Sequence, residues 1–176
     1  MAVRDGMFFR KVCRFIESVG FESDTDLADL QSRLGGDKAD RERTVGVLVT
    51  ALERSFTLDK VDVLAAIFLA LTRGAMTPKD FRACSFAIDQ IYIDDLRLFL
   101  EPEKVGLDQA DYLYKVAHTS LVVPQLSSIA LHSGTTYYVE SELGLTLRAA
   151  NRQGRGMMDI QSDPRGTGSL GERSDE

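Results

Sequence analysis

A mainly α-helical bundle of six or seven helices, closed by a β-hairpin late in the chain, is the fold class this sequence predicts. Three observations point to it. Apolar residues recur at helical spacing from Phe8 to Val116, helix-start signatures such as Thr77-Pro78-Lys79-Asp80 punctuate them, and after His132-Ser133-Gly134 the period switches to two. The last 26 residues, Asn151 to Glu176, hold five Gly, four Arg and five acids, with only Met157, Met158, Ile160 and Leu170 as large apolar side chains. Such a segment buries too little to offset its ordering entropy and is expected as a disordered tail, leaving residues 1–150 as a single domain with a hairpin at about 129–139.

The elements follow in order. Phe8, Val12, Phe15, Ile16 and Val19 form one stripe of a first helix over residues 7–19, which Gly20 ends. Ser23 with Asp26 resembles a capping box, and Leu27, Leu30 and Leu34 follow before Gly35-Gly36. A third helix is expected from Asp37 to about Phe56, with Val45, Leu48, Val49 and Leu52 inward. Thr57 caps a fourth that is nearly apolar all round from Val63 to Leu71, so neighbours must surround it, and Gly74 lies just beyond as its C-cap. Thr77 and Pro78 open a helix expected to run to about Leu100, burying Phe81, Cys84, Ile88, Ile91 or Tyr92, Leu96 and Phe99.

Asp108 and Asp111 start a sixth helix with Tyr112, Leu113 and Val116. Leu121–Val123 reads as a short extended piece, Ile129–Leu131 as a strand, and Thr135–Val139 as its antiparallel partner. Ser141 caps a closing helix to about Ala150. Gly144 inside it costs roughly 1 kcal/mol relative to alanine, which predicts the close approach of another backbone there.

Formal charge is −6, and residues 61–150 contribute most of it, with 7 basic against 11 acidic side chains. That field repels polyanions. The best local basic group, Arg10, Lys11 and Arg14, is expected as a solvated helix edge. Two cysteines, Cys13 and Cys84, are too few for a disulfide framework and fit a reducing, cytoplasmic compartment. The start Met-Ala-Val-Arg-Asp-Gly has no signal-peptide apolar core, and the ten-residue run Val63 to Thr72 is about half a bilayer span.

Tyr138, Ser141 and Gly144 fit the spacing Tyr-x-apolar-Thr/Ser-x-x-Gly, which resembles the end of a winged-helix domain over residues 108–150: a last wing strand, then a capped closing helix. The family pattern has an apolar residue where this chain has Glu140. Burying an unpaired carboxylate is costly, so the expected register turns Tyr137 and Val139 inward and Tyr138 and Glu140 outward. The resemblance implies DNA recognition by the helix from Asp108 to about Thr119, with Lys115, His118 and Arg148 as the cations.

No catalytic set converges. Tyr92-Ile93-Asp94-Asp95 resembles the Tyr-x-Asp-Asp turn of reverse transcriptases, but here it falls within an expected helix, where adjacent residues point about 100 degrees apart. Asp111 and His118 are two helical turns apart, about 10 Å, too far for a direct hydrogen bond, so a nucleophile arrangement with Ser133 or Thr135 lacks its link. His118 and His132 with Asp111 show no metal-ligand spacing, and Asp24-x-Asp26 with Asp29 lacks the glycine and glutamate of a calcium loop. The sequence therefore predicts a non-enzymatic cytoplasmic interaction module, an adaptor or regulator, without metal or cofactor. Its contacts are expected at Tyr138, Glu140, Asp89, Asp94 and Glu101, with another protein or a second copy of the chain as partner. The alternatives are a winged-helix DNA-binding regulator and an acidic inhibitor that mimics nucleic acid.

Overall fold

The computed structural model describes residues 2–20, 34, 37–101, 110–125 and 137–162. Seven helices and one two-stranded ribbon are described. In chain order they are α1 (Ala2–Val19), α2 (Lys38–Arg54), α3 (Leu58–Thr72), α4 (Pro78–Gln90), α5 (Ile93–Leu100), α6 (Ala110–Ala117), β1 (Val122–Gln125), β2 (Tyr137–Glu140) and α7 (Glu142–Ser162). The helix expected around residues 23–34 lies outside the described residues, apart from a buried Leu34. No described helix is long and apolar enough to cross a membrane.

α3 is enclosed as its composition demands. Every residue from Val63 to Leu71 is buried, with Leu64, Ala65, Ala66, Ile67 and Ala70 at 0% exposure, and α1, α4 and α7 pack around it. Each large apolar side chain so enclosed contributes about 1.5–3 kcal/mol. Phe68 of α3 joins the layers, its ring edge-on to Phe15 of α1 at 5.3 Å and to Phe81 of α4 at 5.9 Å. Beyond the helix end, Gly74 adopts φ +75° and the amides of Gly74 and Ala75 bond the carbonyls of Leu71 and Ala70. That pair closes the helix in a Schellman turn. Thr77 then opens α4 as its spacing predicts: its hydroxyl accepts from the Asp80 amide at 3.2 Å and donates to the Asp80 carboxylate at 2.7 Å, with Pro78 in the first turn.

Polar pairs set the rotation of the outer helices, and here hydropathy alone misassigns faces. On α1 the expected solvated edge is split. The Lys11 ammonium is buried and donates to the Glu53 carbonyl at 2.8 Å, whereas the Arg14 guanidinium grips both oxygens of Asp62 at 2.7 and 3.0 Å. Ile16 is thereby turned outward. On α2 the expected inward Val45 and Val49 are exposed, and Thr44 is buried with Leu48, Ala51 and Leu52. Thr44 fits there because its hydroxyl donates to the Asp40 carbonyl at 2.9 Å and accepts from Arg82 of α4 at 2.9 Å, leaving no unmet polar group.

The single helix expected from Pro78 to Leu100 is two helices. The chain extends at Ile91 (ψ 141°) and Tyr92 (ψ 142°), so that Ile91 enters the core while Tyr92 stays 69% exposed. Ile91-Tyr92-Ile93 favours extended backbone, and Asp94 and Asp95 suit a new first turn facing a helix N-terminus. The redirected α5 buries Leu96 and Phe99.

The strand opposite β2 also differs. Tyr137–Glu140 pairs antiparallel with Val122–Gln125, the segment read as an isolated extended piece; residues 129–131 and the turn at 132–134 lie outside the described set. Val122 opposes Glu140 and Pro124 opposes Tyr138. Opposed residues share a face, and Val122 is buried while Val123 is exposed, so Tyr138 and Glu140 face inward rather than outward. Finally, α7 does not stop near Ala150. It continues twelve residues, to Ser162, through what composition marks as tail. Asn151 and Gly154 are buried there, so docking supplies what intrinsic hydrophobicity lacks.

Two glycines permit that docking. A Cβ on Gly144 would overlap the Leu121 carbonyl oxygen and approach the Phe99 ring at 3.1 Å, and one on Gly154 would overlap the Ala66 backbone. Gly46 of α2, by contrast, has open space around it. Gly144→Ala and Gly154→Ala are each expected to destabilise the fold by about 2 kcal/mol or more, whereas Gly46→Ala is expected to stabilise it by about 0.5–1 kcal/mol. Urea unfolding of the three variants checks both signs.

Candidate functional site

Where α7 meets α3, the Gly154 and Ala66 backbones are in contact, and beside that contact α3, α5 and α7 bound a common space. The space between is an open groove of about 810 Å³. α3 lines it with Asp59, Asp62 and Val63, and α5 with Ile93, Arg97 and Leu100, continued by Glu101. α7 contributes Asn151, Arg152, Arg155, Gly156, Met158 and Asp159. Val63, Ile93, Leu100 and Met158 give it apolar surface beside the buried Asn151, and charged side chains of both signs line the rest.

The α3 acids are engaged. Arg14 and the Ser18 hydroxyl hold Asp62, and the hydrogen bond and charge of Asp62 raise the Arg14 pKa above its ordinary value. Arg97 reaches Asp59 at 2.8 Å and Asp94 at 3.6 Å. On α7 the cations are less satisfied: Arg155 donates weakly to the Asn151 amide oxygen at 3.4 Å, and Arg152 has no bonded partner among the described residues.

The residues singled out from sequence do not form one surface. Tyr138 packs against the core edge. Glu140 meets the Arg148 guanidinium at 2.8 Å, both side chains being largely buried, at 15% and 12% exposure. Arg148 also donates to the Glu101 carbonyl at 2.6 Å and lies 5.6 Å from the Phe99 ring centre, so it ties α7 to β2 and α5. Asp89 is 14% exposed and accepts from Arg54 and Gln90, and its carbonyl takes the buried Lys60 ammonium at 3.0 Å. Asp94 stands exposed in the first turn of α5, and Asp95 beside it pairs with Lys115 at 3.5 Å. His118 lies in the turn after α6, its Nε2 3.4 Å from the Gln90 carbonyl oxygen. Of the predicted contact residues, Glu101 alone lines the groove.

No group of three His, Cys, Asp or Glu side chains among the described residues is placed to hold a metal ion. Burial pushes the Cys84 thiol up to about 12, far from the range of a nucleophile. Sequence reading missed Arg152, Arg155 and Gly156 because they lie in the segment taken for tail. The recurrence of Arg152, Arg155 and Met158 at helical spacing was the available cue. Comparison with protein-family models, with curated proteins and with solved structures finds no match for this chain.

Glu140→Ala is expected to cost about 3 kcal/mol because it strands a buried guanidinium, and adding Arg148→Met is expected to recover part of that loss; thermal unfolding of the single and double variants measures the coupling. Burial lowers the Lys60 pKa below the ordinary 10.5. The folded pKa thus lies below the unfolded one, so protonated Lys60 opposes folding at neutral pH and the opposition is relieved as pH rises towards 10.5. The stability of the native protein relative to Lys60→Met is therefore expected to increase from neutral pH to 10.5 in urea titrations.

Proposed function

We propose that this chain is a non-enzymatic protein-recognition module whose recognition surface is the groove between α3, α5 and α7. One observation carries the reading: side chains from three separate helices converge there, apolar Ile93, Leu100 and Met158 among charged residues of both signs, a mixture suited to a protein-binding patch. The buried, unreactive Cys84 and the engaged acids support a binding role over a chemical one. The partner is another protein or a second copy of this chain. DNA recognition and nucleic-acid mimicry are the weaker alternatives. Lys115 is spent on Asp95 and Arg148 on Glu140, and several of the acids that a mimic would display are paired with arginine.

Gly156 offers a clean test. It is exposed in the groove with open space where a Cβ would stand, so Gly156→Trp fills the groove without disturbing packed backbone. Affinity capture from the native extract, together with mass in solution, is expected to show a partner or a dimer for the native chain and its loss for Gly156→Trp. A strictly monomeric protein that retains no partner, or a partner retained equally by the variant, overturns the proposal.

A further inference from the structure

The groove's acids are largely engaged, whereas two of its arginines are not. Asp62 is held by Arg14, and Asp59 by Arg97, which also reaches Asp94. Glu101 and Asp159 each have a bonded or electrostatic partner as well. Arg152 has none among the described residues, and Arg155 holds only a neutral amide at 3.4 Å. The two guanidiniums are three residues apart on α7, adjacent on one helix face and separated by roughly 5–6 Å at Cβ. Guanidiniums present paired donors that match carboxylates. Ile93, Leu100 and Met158, all half-buried, lie beside them as apolar contacts.

From this we infer that the groove takes an acidic, leucine- or isoleucine-bearing peptide segment of a partner protein, its carboxylates seated on Arg152 and Arg155 and its apolar side chains on Ile93, Leu100 and Met158. The inference rests on the groove being the recognition surface and adds the chemistry of its occupant. A long polyanion is disfavoured because the chain carries net charge −6 and Asp59, Asp62, Glu101 and Asp159 line the same opening. A short segment with a few carboxylates reaches the two arginines without facing that field along its whole length.

The test uses the full chain and fluorescence anisotropy with three labelled probes: a peptide of Leu-Glu-Glu-Ile repeats, its lysine-for-glutamate counterpart, and an oligothymidylate. The acidic peptide is expected to bind at least about tenfold more tightly than the lysine peptide, and to weaken by roughly tenfold in Arg152→Gln/Arg155→Gln, whose surface changes leave the fold intact. Loss of the same binding in Gly156→Trp locates it in the groove. If both peptides bind alike and both are blocked by Gly156→Trp, the acidic assignment falls while the groove reading stands. Displacement of the acidic peptide by the oligothymidylate marks a general anion site and also overturns the assignment. Should the acidic peptide fail to bind, or bind regardless of Gly156→Trp, the occupant's chemistry and the site fall together.

Discussion

The contact between Gly154 and the Ala66 backbone is the constraint on which the rest of this structure depends. α3 is too apolar to present any side to water, and the last side is covered by α7, a helix with few large hydrophobic residues of its own past Ala150. Covering it with side chains would have required bulk that the sequence does not supply. Bringing backbone against backbone achieves the same exclusion of water with glycine and alanine, and dispersion between closely packed main chains replaces side-chain interdigitation. Gly144 repeats the device against Leu121 at the other end of α7, so the helix is held at two points and its direction is fixed. The groove lies beside this clamp, lined by the same two helices and α5.

Charge does the complementary work. Lys11 and Lys60 place ammonium groups on carbonyls in the last turns of α2 and α4, where partial negative charge accumulates. Burial depresses the pKa of both. Arg14, Arg82 and Arg148 each bridge two elements through a carboxylate. This explains how an acidic chain tolerates partly buried acids: Asp62, Asp40 and Glu140 each sit against an arginine from another element.

Much of the fold is legible in residue order alone. The enclosed α3, the Thr77 and Ser141 caps, the Gly74 stop and the close approach at Gly144 all follow from local chemistry that a single segment specifies. What escaped reading depends on distant partners. Glu140 looks unburiable until Arg148 is seen beside it, and Thr44 looks like a surface residue until Arg82 supplies a donor. The bend at Ile91 competes with a strong upstream cap whose influence fades within a few turns. The groove was illegible for the same reason: residues 151–162 form a helix because α3 receives them, and composition takes no account of a receiving surface.

The glycines of α7 have an effect beyond geometry. A helix interrupted by Gly144, Gly154 and Gly156 has poor propensity in isolation, so its final turns owe their order to neighbours rather than to themselves. Those turns form one wall of the cleft. Ordering of this segment and creation of the cavity are consequently a single equilibrium. A molecule that binds only the ordered form of those turns stabilises them by mass action.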